Sequence, residues 1–132
     1  MNTTGAPIDS AELPEAISAA MVELYAAFYA HDRTTATTYI NDSIVVCVLE
    51  NILTEVEDAL IARGGRGEVI DGRVSFQTED EFTAAIERLT HRRVVAFLSA
   101  NQTTPGVACE LFFLDAPPLA AQQTKSASPD NR

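Results

Sequence analysis

Six consecutive apolar residues, Ile44 to Leu49 in the stretch YINDSIVVCVLE, constrain this chain more than any other feature. Four of the six are β-branched, and the run stops at Glu50. A run this short and this stiff at χ1 suits a strand buried on both faces better than a helix. Asn41, Asp42 and Ser43, just before it, carry turn chemistry. Such a strand needs a layer on each side, and the rest of the chain has to supply both.

Upstream, Asp9 or Ser10 is placed to cap a helix, with Glu12 and Glu15 where acids suit the helix dipole. Pro14 falls in the first turn, where it is tolerated. Ile17, Met21, Leu24, Tyr25 and Phe28 recur at helical spacing, so one apolar stripe runs to about Ala30. After the polar link HDRTTATT, Thr37 to Ile40 reads as a strand that forms a hairpin with residues 44–50. Thr54 and Glu57 have capping-box spacing, which predicts a short helix with Val56, Leu60 and Ile61 turned inward. Gly64, Gly65 and Gly67 end it. Thr78 and Glu81 repeat the capping spacing, and Phe82, Ala85, Ile86 and Leu89 predict a helix over about 78–90. Residues 68–78, with Val69, Ile70, Val74 and Phe76, have no regular period, and a start of that helix near 68 stays open at a cost of about 1 kcal/mol for Gly72 inside it.

Val94 to Ala100 and Val107 to Leu114 flank the turn-rich NQTTPG and read as a second hairpin. Cys109, Leu111 and Phe113 share one face of its second strand, and Glu110 interrupts the other. The expected fold is α+β: a four-stranded antiparallel sheet from two β-hairpins, with about three helices packed on one face, in the order α-ββ-α-α-ββ. The helices leave the other face of the sheet, near Val45, Phe112 and Leu114, partly apolar. Burying it against a second copy makes a homodimer the expected state. The 132 residues are expected to form a single domain over 9–115, with a flexible N-terminus at 1–8 and a disordered tail at 116–132.

Charge narrows the function. Acids outnumber bases 19 to 9, for a net charge of −10, which argues against nucleic acid and against direct docking on anionic lipid. No apolar run is long enough for a membrane span, and the first ten residues lack the basic-then-apolar order of a secretory signal. A cytoplasmic location is expected. Cys47 and Cys109 sit in apolar strand-like runs and read as two buried free thiols.

No catalytic constellation stands out. His31 and His91 are isolated, with no zinc-ligand spacing. The acids at 50, 55, 57 and 58, and those at 79–81, read as solvated helix starts rather than a cation site. The three glycines at 64–67 lack the lysine and the preceding strand of a phosphate loop. Arg92 and Arg93, at a helix-to-strand junction, are candidates for binding an anion or an acidic partner, with Asn101 and Glu50 as neighbours at the same edge. Their bland roles are compensation of the helix dipole and a surface ion pair with Glu50 or Glu110. No cofactor or metal is expected.

Two segments carry a family resemblance. YINDSIVVCVLENILTEVEDALIARG and RLTHRRVVAFLSANQTTPGVACELFFL resemble the small bacterial proteins of the MpsC family. Members typically carry Y-I-x-D-D-L-V-V-C-V-L-E-G-x-L-T and, later, L-T-G-R-R-V-x-A-F-x-S-D. Tyr39, Ile40, Asp42, Val45 to Glu50, Leu53 and Thr54 match the first pattern. Leu89, Thr90, Arg92, Arg93, Val94, Ala96, Phe97 and Ser99 match the second. The likeness runs from about Ile17 to Leu114. The link before the first strand departs from the family, which usually has Gly-Pro and basic residues there. His91 stands at a family glycine, Ala100-Asn101 at a family aspartate, and the middle helix differs around Gly72 and Thr78. The resemblance implies a cytosolic, non-enzymatic protein accessory to a sodium-translocating, membrane-potential-generating system linked to inorganic carbon uptake, with a membrane-transport protein as partner. A small-anion or metabolite sensor built on Arg92, Arg93, Asn101 and Glu50 is the other reading.

Overall fold

A computed structural model describes residues 7–29, 33–65, 79–103 and 105–119. Helix α1 (Leu13–Tyr29) follows a turn in which the Asp9 carboxylate accepts from the Ala11 amide. Its stripe is buried at Leu13, Ile17, Met21 and Tyr25; the Phe28 side chain lies outside the described residues. Strands β1 (Thr35–Asn41) and β2 (Ile44–Glu50) form the first hairpin, with Thr35 opposite Glu50 and Asn41 opposite Ile44. Asp42 makes the turn at a φ of 58°, a conformation that Asp tolerates better than most residues.

After β2 the chain dips into the core through Ile52 and Leu53, and the Ile52 amide donates to the Gly106 carbonyl. A side chain on Gly106 would come within 2.9 Å of Leu53, so the close approach needs glycine. Helix α2 (Glu55–Ala62) opens with the expected capping box between Thr54 and Glu57. It closes on Gly64 at φ 89°, with the Gly64 and Gly65 amides bonded back to Ile61 and Leu60. Leu60 and Ile61 pack against the core, but Val56 does not: it is 78% exposed. Ile52 and Leu53 already anchor this segment, so the first turn of α2 stands away from the core.

Helix α3 (Glu79–Thr90) buries Phe82, Ala85 and Ile86. Thr78 and the aperiodic apolar residues at 69, 70, 74 and 76 lie outside the described residues, as does His31. Strands β3 (Val94–Thr103) and β4 (Gly106–Leu114) complete one antiparallel sheet in the order β1-β2-β4-β3. The sheet and the three helices among the described residues match the expected α+β order. Of the tail expected from residue 116, residues 116–119 turn back along α3, where the Leu119 amide donates to the Thr90 carbonyl. Residues 120–132 lie outside the described residues, as do 1–6 at the other end.

The faces of the sheet are assigned the opposite way to expectation. Val45, Cys47 and Leu49 of β2 and Ala108, Glu110, Phe112 and Leu114 of β4 are buried beneath the helices. The other face presents Ile44, Val46 and Val48 from β2 and Val107, Cys109, Leu111 and Phe113 from β4, all only half-buried. The deciding fact is that Glu110 goes inward. Tyr25 of α1 reaches it, so the core accepts a carboxyl that alternation alone assigns to the wet side.

Asn51 and His91 both take φ 58°, and both stand where the resembled pattern has glycine. A left-handed backbone costs a side-chain-bearing residue on the order of 1 kcal/mol, less for asparagine. His91→Gly is therefore expected to raise stability by about 0.5–1 kcal/mol, and Asn51→Gly by no more than a few tenths. Urea unfolding of the two variants beside the parent checks this; a loss of stability at His91→Gly would show that the imidazole makes a compensating contact.

Candidate functional site

One cross-strand row runs through the middle of the covered face. Thr38 of β1 lies opposite Cys47 of β2, Cys47 opposite Glu110 of β4, and Glu110 opposite Ser99 of β3. Every member is polar or a thiol, between one rung of Ile40, Val45, Phe112 and Phe97 and another of Ala36, Leu49, Ala108 and Asn101. Helix α1 contributes the partners above it. Ser18 Oγ lies 2.7 Å from Thr38 Oγ1, Thr38 Oγ1 donates to Cys47 Sγ at 3.7 Å, and the Tyr25 hydroxyl donates to Glu110 Oε2 at 3.0 Å. The Tyr25 ring stacks on Phe82 of α3 at 5.9 Å, which fixes where its hydroxyl points.

Glu110 is 1% exposed. Burial pushes its carboxyl above the usual range, against hydrogen bonds from Ser99 and Tyr25 that favour the charged form. Among the described residues no positive charge contributes to its titration. Its Oε1 is buried without a hydrogen-bond partner, and so are Asn101 Oδ1 and Thr103 Oγ1, on the neighbouring strand. A neutral carboxyl has a donor of its own, which a carboxylate lacks. Burial likewise pushes the Cys47 thiol up to about 12, with the Thr38 hydrogen bond working in the other direction. Cys47 is thus a thiol, not a thiolate, at neutral pH, and a poor nucleophile.

The two cysteines are free and lie on opposite faces of the sheet, since Cys47 pairs with Glu110 and Cys109 with Val48. Side chains on opposite faces cannot join in a disulfide. Among the described residues no cluster of His, Cys, Asp and Glu is arranged to hold a metal ion. The side chains of Glu55, Asp58 and Glu79, from the two acidic runs, lie outside the described residues, and Glu57 is spent on the capping box.

Arg92, Arg93, Asn101 and Glu50 are not brought together. Arg92 sits below the end of α3 and its Nε donates to the Pro117 carbonyl at 2.6 Å, holding the returning segment in place. The Arg93 amide donates to the Asp115 carboxylate, its carbonyl accepts from the Asp115 amide, and its side chain is exposed. Both flank the end of the sheet where Val94 pairs with Leu114. Asn101 is not in a loop: it lies within β3, opposite Ala108. That is seven residues along the ladder, roughly 20 Å at the rise of an extended strand. Glu50 is exposed at that far end, on the other face of the sheet from the buried Asn101 oxygen. Neither Glu50 nor Glu110 pairs with the arginines as expected: Glu110 is committed to Tyr25.

The bare face, covered by no element among the described residues, is the other feature of functional size. Between the first and last rungs its side chains are Thr37, Val48, Cys109 and Ala100, then Tyr39, Val46, Leu111 and Leu98, with Tyr39 and Leu98 more than half exposed. Among the described residues of its strands the only charge is Glu50, at one end. The β2–β4 pair also puts Cys109 near its centre.

The profile of one protein family, described as Na+-translocating membrane potential-generating system (MpsC), matches residues 9–116 of this chain. Neither a curated protein nor a solved structure matches it. No helix among the described residues is long and apolar enough to cross a membrane.

Proposed function

Because this chain belongs to the MpsC family, we propose that it is a non-enzymatic, cytoplasmic accessory subunit of a Na+-translocating, membrane-potential-generating system, acting as a homodimer joined through the bare face of its sheet. The bare face is the observation that carries the reading. Four strands about 4.8 Å apart and some seven residues long cover roughly 19 by 23 Å. With the relief of the pleat this is on the order of 600 Å² per copy, or about 1,200 Å² for a pair, the lower end of specific interfaces. The apolar rungs supply a dry centre, and the threonines of β1 with Gln102 of β3 supply a polar rim. The net charge of −10 disfavours direct contact with anionic lipid, so recruitment to a membrane runs through a protein.

Two experiments test the reading. The tagged chain should co-purify from detergent-solubilised host membranes with a multi-span protein, and its deletion should lower the Na+-dependent membrane potential. A tagged chain that leaves the membrane fraction empty-handed, in cells whose potential is unchanged without it, contradicts the accessory role. The dimer is tested by its thiols. Dilution that separates the copies should speed alkylation of Cys109 several-fold and leave Cys47 unmodified until the protein unfolds, as peptide mapping will resolve. A Cys109 alkylation rate independent of concentration counts against the face-to-face pair.

A further inference from the structure

We propose that the free edge of β1 accepts an extended, basic segment of a partner protein as a fifth strand. The proposal takes the source of that segment, a membrane protein, from the accessory role above, but the docking chemistry stands on the edge itself. Among the described residues β1 is outermost in the strand order. An edge strand offers a row of unpaired amides and carbonyls, and proteins commonly guard such edges with charge, proline or a bulge. The seven residues of β1, TATTYIN, contain no charge and no proline, and their pairing with β2 runs without a break. The opposite edge differs: β3 has a register shift between Val94 and Ala96, which turns Val95 outward.

A groove of about 460 Å³ runs along β1 beneath α1, lined by Pro14, Glu15, Ser18, Ala36, Thr37 and Thr38. Small side chains leave room there for alternate residues of an added strand, as strand addition requires. Its charge selects the occupant. Glu15 lines the groove, Glu50 lies opposite Thr35 at one end of β1, and Asp42 follows Asn41 at the other. The nearest cation in sequence, Arg33, donates to the Leu53 carbonyl. A second copy of this edge would set carboxylates against carboxylates. A lysine- or arginine-bearing strand would instead meet opposite charge, and cytoplasmic loops of membrane proteins carry an excess of those residues.

The test uses the full chain and a fluorescein-labelled peptide alternating lysine and valine, read by anisotropy at low salt and by amide hydrogen exchange. Binding is expected to slow exchange at Thr35–Asn41. Glu15→Lys should weaken it about tenfold, and so should replacing alternate amides of the peptide by N-methyl amides, which leaves its charge intact. Three results would overturn the proposal: no binding, protection outside β1, or equal binding of the N-methylated peptide, which would reveal charge attraction alone. Slowed exchange in β1 without peptide, rising with protein concentration, would assign the edge to another copy and overturn it too. The mass of the chain is measured in the same samples. Loss of peptide binding with the two-copy mass retained removes the edge proposal alone and leaves the face-to-face dimer standing.

Discussion

Truncating Glu110 to alanine is expected to destabilise the protein by about 2–4 kcal/mol, whereas glutamine at the same position should cost little and should remove part of the pH dependence of folding. The alanine effect has two sources. The side chain is fully buried, so its removal leaves a cavity beneath α1. It also removes the bond that the Tyr25 hydroxyl makes to Glu110 inside the core. Glutamine keeps the volume and the acceptor and carries no proton to lose.

The sign of the pH effect follows from the direction of the shift. Burial holds the folded carboxyl above its ordinary value of 4.5. Between that value and the raised one, the folded state binds more protons than the unfolded state, so stability falls as pH rises through the window. Below the window both states are protonated and the penalty is absent; above it the penalty is fully present and constant. The parent should therefore lose stability relative to Glu110→Gln as pH rises from about 4.5, and the two curves should run parallel above the folded pKa. The other acids of this −10 chain act on both proteins equally and cancel in the difference. Chemical unfolding of both proteins across the acid-to-neutral range measures it. A difference that grows in the opposite direction would mean that Glu110 is held as a carboxylate.

Leu111→Asp is expected to have the largest effect on assembly. Leu111 lies between Val46 of β2 and Leu98 of β3 on the bare face. It is half-buried in a single chain, so the variant should fold with an unchanged far-ultraviolet spectrum. In the proposed dimer each carboxylate would be buried unpaired, at several kcal/mol per copy. The dissociation constant should rise at least about a thousandfold, which a dilution series of light-scattering masses resolves. Glu110→Gln, on the other face, should leave it unchanged. If Leu111→Asp associates like the parent, the copies do not meet through this surface.

Much of the fold is legible in the residues because local signals and the hydrophobic pattern agree there. The Thr54–Glu57 box, the α1 stripe and the turn at Asp42-Ser43 each carry their own physical cause. Two things were not legible. The first is which face of the sheet the helices take. Val107 to Leu114 alternates with apolar residues on both faces, and a carboxylate normally marks the wet one. Only the arrival of Tyr25, 85 residues away in sequence, reverses that reading for Glu110. Ala108, Phe112 and Leu114 share its parity, and that large apolar company was the available hint.

The second is the row Thr38–Cys47–Glu110–Ser99. It exists only through registers between strands far apart in the chain, and no spacing along the sequence encodes it. The proposed anion site failed to assemble for the same reason. Arg92-Arg93 and Asn101 are close in sequence, but a continuous strand separates them by nearly its own length.

The dimer is the claim on which most of this depends, and the most direct check is the mass of the full chain by sedimentation velocity at micromolar concentration. A species of twice the chain mass of 14.2 kDa is expected. A single boundary at 14.2 kDa, unchanged up to the highest soluble concentration, would leave the sheet's apolar face in water and contradict the account.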